Sequence, residues 1–142
     1  TNIAGLTIRA TAGAMVPSIE NGYFISHADG KIYLEPHGFL DSKIESQSVD
    51  AVITPVVDLG LPLAGAFVKG RQVLPELLKR FEPSTVLAST AGGNVRFEGL
   101  LSSFMQMEGS AKEVAEMLPA QVKFIDPEPG KRYALTSKQS LV

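Results

Sequence analysis

The stretch from Ala51 to Lys69, AVITPVVDLGLPLAGAFVK, constrains the fold more than any other part of the chain. It is the longest nearly uncharged run, and its two ends behave differently. Its start, Ala51-Val52-Ile53-Thr54, is a short β-branched run closed by Pro55, the pattern of a strand covered on both faces. The remainder of the run cannot be one helix, because Gly60, Pro62 and Gly65 break the helical period; Val56 to Phe67 reads as an apolar loop leaving the end of a buried strand. Loops at strand ends are where α/β proteins place their sites. This one carries a single carboxylate, Asp58, so it reads first as wall and second as site.

The pattern changes at Gly70. Val73, Leu74, Leu77, Leu78 and Phe81 form the stripe of an amphipathic helix that Pro83 stops, and Thr85 to Ala88 is the next buried strand. Strand, helix, strand from Ala51 to Ala88 predicts a parallel pair with a right-handed crossover. Upstream, Leu6 to Thr11 alternates apolar and polar residues with the period of a strand. Tyr23–His27 and Lys31–Glu35 flank Ala28-Asp29-Gly30 as a β-hairpin. Downstream, Leu100–Glu108 and Ser110–Leu118 read as two helical segments, with Ser110 and Glu113 as a capping box for the second. Gln121–Ile125 and Arg132–Leu135 read as terminal strands, and residues 136–142 as a tail. The expected class is α/β or mixed α+β: a mixed sheet with flanking helices in one domain spanning 1–142.

Composition narrows the function classes. With 142 residues, 44% hydrophobic and 20% charged, the chain is long enough for one real core. A net charge of −2 and scattered basic residues leave no footprint for nucleic acid. Zero cysteines rule out disulfides and thiolate metal sites and fit a reducing compartment, the cytoplasm or the chloroplast stroma. No apolar run reaches the length of a membrane span. The chain begins without Met at a residue leading into a strand, which suggests processing or truncation upstream.

Glu35-Pro36-His37-Gly38 is the leading candidate for chemistry, because a carboxylate and an imidazole leave one strand end together and Gly38 permits close approach of a ligand. Two ligands do not complete a hydrolytic zinc centre, which needs three, so Asp58, Asp41 or a group outside the chain would have to join. The competing reading is a turn in which Glu35 caps neighbouring backbone. His27, beside Asp29, reads as a solvated turn residue. Ser89, Thr90, Gly92 and Gly93 come after a buried strand and could cradle an anion or substrate with hydroxyls and backbone N–H groups, although they match no phosphate-loop motif.

On these residues the chain resembles the C-terminal half of the metallo-β-lactamase-fold hydrolases, in the branch of the ascorbate-phosphate lactonase-like enzymes and their cyanobacterial and plant relatives. The likeness runs through Gly5–Thr11, Glu20–Tyr23, Tyr33–Phe39, Ile53–Pro62 and Ala91–Gly93. It implies an αβ/βα sandwich of two sheets with a metal site at one edge. The family's His-x-His-x-Asp-His cluster belongs to the other half and is absent here. Its bridging Asp is matched by Glu35-Pro36-His37, and its last histidine by Ser89 and Thr90. The resemblance therefore implies zinc or another divalent metal held in part by Glu35 and His37, in an altered or incomplete site, or no metal at all. It also implies a partner, the N-terminal half or another protein chain, against an apolar face. Two functions are expected on this basis: a portion of a metal-dependent hydrolase, or a non-catalytic subunit or scaffold. A small-molecule binder using the Gly92-Gly93 loop is a third.

Overall fold

The short β-branched run forms β5 (Ala51–Thr54), inside a seven-stranded sheet of order β1-β2-β3-β4-β5-β8-β10. The computed structural model describes residues 1–15, 19–89, 104–135 and 137. On one side of β5 lie β1 (Asn2–Ile3), β2 (Leu6–Met15), β3 (Ile19–His27) and β4 (Gly30–Leu34), an antiparallel meander. The expected hairpin is β3–β4, paired from His27↔Gly30 to Tyr23↔Leu34. On the other side lie β8 (Thr85–Ala88) and β10 (Lys123–Ile125), and β4, β5, β8 and β10 all run parallel. The class is mixed α+β, a mixed sheet with flanking helices, as expected.

The parallel steps β4 to β5 to β8 to β10 all advance in one direction across the sheet. The right-handed preference of such connections then puts every crossover on the same face. Helix α1 (Gly70–Phe81) joins β5 to β8 and α2 (Ala111–Met117) lies between β8 and β10. Leu77 and Phe81 of α1, with Leu40 and Ile44 of the β4–β5 connection, pack on Phe24, Tyr33, Val49 and Val52. Leu74 of α1 and Val114 of α2 pack with Val56, Leu59, Val68, Val86 and Ala88. Three rings knit this core, with Tyr33 and Phe81 centroids 4.6 Å apart and Phe24 edge-on to Phe81 at 5.4 Å.

The two faces of the same strands differ sharply. Along one register row, Phe24, Tyr33, Val52 and Val86 are 0–2% exposed. The adjacent row on the opposite face, Tyr23, Leu34, Ile53 and Leu87, is only half-buried, as are Ile8, Ile25 and Ile32. Neither described helix contributes to this second face.

Helix α1 has no side-chain cap from Lys69; its cap comes from Asp58, whose Oδ1 accepts the N–H groups of Arg71 (3.0 Å) and Gln72 (3.3 Å). At the other end Glu82 takes a left-handed conformation and its N–H closes on the Leu78 carbonyl. Ser110 caps α2 by accepting the Glu113 N–H at 3.2 Å, as its spacing predicts.

Three expectations are corrected. Val56–Phe67 is not a loop: β6 (Asp58–Leu61) and β7 (Gly65–Lys69) form a hairpin whose tip is Pro62-Leu63-Ala64. Gly60 stands inside a strand, where a Cβ would lie 2.7 Å from the Gly65 carbonyl oxygen, so this glycine marks close strand approach rather than a break. The C-terminal part of the predicted helix 100–108 is β9 (Gln106–Glu108), the third strand of this small sheet, and 100–103 lie outside the described residues. Arg132–Leu135 forms no strand.

Leu77 is fully buried in the cluster that holds the three rings. Leu77→Ala should cost about 2–5 kcal/mol in urea denaturation. Leu87→Ala, on the half-buried face, should cost clearly less.

Candidate functional site

The carboxyl ends of β4, β5 and β8 form one rim, where open α/β sheets place ligands. Glu35 leaves β4 there. Its N–H extends the ladder to the Ile53 carbonyl at 2.9 Å, and its side chain stays on the covered face, 1% exposed. The carboxylate is committed to the next loop: Oε1 accepts the His37 N–H at 2.9 Å and Oε2 accepts the Gly38 N–H. Burial outweighs these bonds and holds the Glu35 carboxyl above the usual carboxylate range, with the His37, Phe39 and Gly38 N–H groups pulling it back down.

The same loop is fastened from its other side. The His37 carbonyl accepts the Lys69 N–H at 3.1 Å, tying the loop to the junction of β7 and α1. Gly38 has φ +68°, and a Cβ there would lie 2.3 Å from the Lys69 carbonyl carbon. Only glycine meets both conditions.

His37 is thereby presented on a fixed backbone, its side chain 19% exposed. Its Nδ1 lies 3.1 Å from Oε2 of Glu20, a residue of β3, but bent away from a hydrogen-bond line, so Nδ1 is buried without an aligned partner. On the other side of Glu20, β2 bulges between Ala10 and Gly13. Gly13 then closes directly on the Glu20 carbonyl, where a Cβ would overlap it. The Tyr33 hydroxyl lies deeper on the covered face, its pKa pushed up to about 12 by burial.

The structure thus brings Glu35, His37 and Glu20 together, and sequence reasoning missed Glu20. The signal was present in the hairpin register: counting back from the Asp29-Gly30 turn sets Glu20 level with His37. Ser89 stands exposed on the same rim, its N–H bonded to the Thr54 carbonyl at 3.0 Å, while Thr90, Gly92 and Gly93 lie outside the described residues. Asp58 is occupied in capping α1. Asp41 accepts the N–H groups of Ala12 and Lys43, and the Lys43 bond leads the causes that hold its carboxyl below the usual range. His27 is a solvated turn residue, its Nδ1 3.0 Å from Asp29.

The donor set does not fit zinc or another divalent ion. Both oxygens of Glu35 already serve backbone N–H groups, and no group of three or more His, Asp or Glu side chains placed to hold a metal exists among the described residues. The expectation of a metal-binding, zinc-holding chain is corrected on that ground.

No family model matches the chain, and no curated protein does. Among solved structures it is similar to an isothiocyanate hydrolase from Delia radicum gut bacteria, with a TM-score of 0.59 at 16% identity, over 96% of this chain and 57% of that one. At that identity the likeness shows the fold alone, and the chain spans little more than half of the neighbour's length. The expected membership in the metallo-β-lactamase-fold hydrolases is corrected accordingly: a solved structure similar in fold bears the name of an isothiocyanate hydrolase, and no family model or curated protein supports the lactonase-like branch.

The raised Glu35 pKa fixes a sign. Between the unfolded and folded values the native state binds the extra proton, so this contribution to stability is fully present below the unfolded value, near 4.5, and is lost as pH rises through the folded one. Urea denaturation across that window should show the wild type losing stability relative to Glu35→Gln as pH rises. Parallel pH profiles would contradict the assignment.

Proposed function

We propose that this chain is the sheet-bearing portion of a hydrolase-type protein. It would supply a rigid site rim and one covered sheet layer, with its half-buried isoleucine face packing against a second layer or another protein chain. The observation that carries this reading is the contrast between the two faces: Phe24, Tyr33, Val52 and Val86 are closed, while Tyr23, Leu34, Ile53 and Leu87 on the same strands stay half-buried. A sheet with apolar residues on both faces is stable when both are covered. The likeness to a hydrolase, over 57% of that protein's length, supports the hydrolase class, without extending to its substrate.

A second reading, a non-catalytic subunit or scaffold, draws on the commitment of Glu35 to its own loop, which leaves the rim short of a ligand set. Both readings use the same packing face. Among the described residues no helix is long and apolar enough to cross a membrane. A cytoplasmic or stromal location suits a chain without cysteine.

The purified chain should bind a hydrophobic dye such as ANS and self-associate in light scattering. Ile8→Lys with Ile25→Lys, paired on β2 and β3, should abolish both while the circular dichroism spectrum is retained. A wild-type chain that is monomeric and silent toward the dye would overturn the packing-face reading.

A further inference from the structure

We propose that Glu20 and His37 form a proton-transfer pair, with His37 Nε2 as general base toward a water nucleophile and Glu20 as the residue that positions the ring. Three observations converge on it. The His37 backbone is held from both sides, by the Glu35 carboxylate on its N–H and by Lys69 on its carbonyl, so the ring's origin is fixed as a general base requires. Its Nδ1 is buried, has no aligned hydrogen bond, and lies 3.1 Å from a Glu20 carboxylate oxygen. The pair stands at the carboxyl end of β4, on the rim shared with β5 and β8, where ligands of such sheets bind.

The chemistry is set by the group that Nδ1 faces. A carboxylate accepts and cannot donate, so the proton of the neutral ring resides on Nδ1 and the lone pair is left on Nε2. Glu20 then stabilises the imidazolium that forms when Nε2 takes a proton. The bent 3.1 Å contact is of the kind that tightens when substrate is bound. Glu35 takes no part in the proton transfer; it positions the loop. His27 is the internal contrast: its ring is 42% exposed, its partner Asp29 is 90% exposed, and the two meet within one turn in solvent.

With p-nitrophenyl acetate as the probe, Nε2 takes one proton of water as the water oxygen bonds to the acyl carbon. The bond from that carbon to the phenolic oxygen breaks, and p-nitrophenolate leaves with the electron pair. The imidazolium then gives up its proton, so the products are acetic acid and p-nitrophenol.

Two measurements on the full chain test the proposal. Nitrogen-15 NMR of the two histidines should find neutral His37 as the Nδ1–H tautomer, and Glu20→Gln should shift it toward Nε2–H while His27 is unmoved. Hydrolysis of p-nitrophenyl acetate should fall at least about a hundredfold in His37→Gln, the lower end of what a positioned base contributes. It should fall partway in Glu20→Gln, recover in part in Glu20→Asp, and stay unchanged in His27→Asn. An Nε2–H tautomer at His37 in the wild type, or esterase activity that survives His37→Gln, would overturn it. The inference rests on the hydrolase reading for the reaction class only. The tautomer is read without any reaction and without the packing face, so failure of one is distinguishable from failure of the other.

Discussion

A buried carboxylate sets the geometry of the rim. Glu35 is 1% exposed, and a carboxyl group taken out of water carries a desolvation cost that only hydrogen bonds or a partner charge can offset. Here backbone N–H groups of the next turn supply the bonds. The consequence runs outward: the turn is rigid, Gly38 fits against the start of α1, and His37 emerges at one place facing Glu20. A side chain with the right chemistry for a metal ligand is used as a structural clamp.

Winding direction is the second constraint. The parallel strands advance one way across the sheet, so the β4–β5 connection, α1 and α2 crowd onto one face, and among the described residues no helix covers the other. Rim and face are coupled through β5. Val52 and Thr54 close the covered side, Ile53 faces the half-buried one, and the Ile53 carbonyl carries the hydrogen bond that starts the Glu35 turn.

Much of this was legible in the residues. The β-branched run at Ala51, the helical stripe ending at Phe81 and the Asp29-Gly30 turn each named their element, because each rests on a local pattern that packing reinforced. The β6–β7 hairpin was not legible: Gly60 and Gly65 carry a loop signal, and only strand pairing shows that Gly60 is there to let backbones approach. β9 was missed because Met105 and Met107 suit a helix as well as a strand, and the choice was made by the free edge of β6. At the site, the turn reading of Glu35 was available beside the ligand reading. Burial decides between them, and burial is a property of the whole fold. Glu20 sits far from His37 in sequence and joins it only through the hairpin register.

Amide hydrogen exchange tests the clamp most directly. If the Glu35 carboxylate holds the turn, the His37 and Gly38 N–H groups exchange far more slowly than those of other loops, and Glu35→Ala releases both while β4 and β5 amides stay protected. Fast exchange of these two amides in the wild-type chain, at the rate of exposed loop positions, would contradict the account.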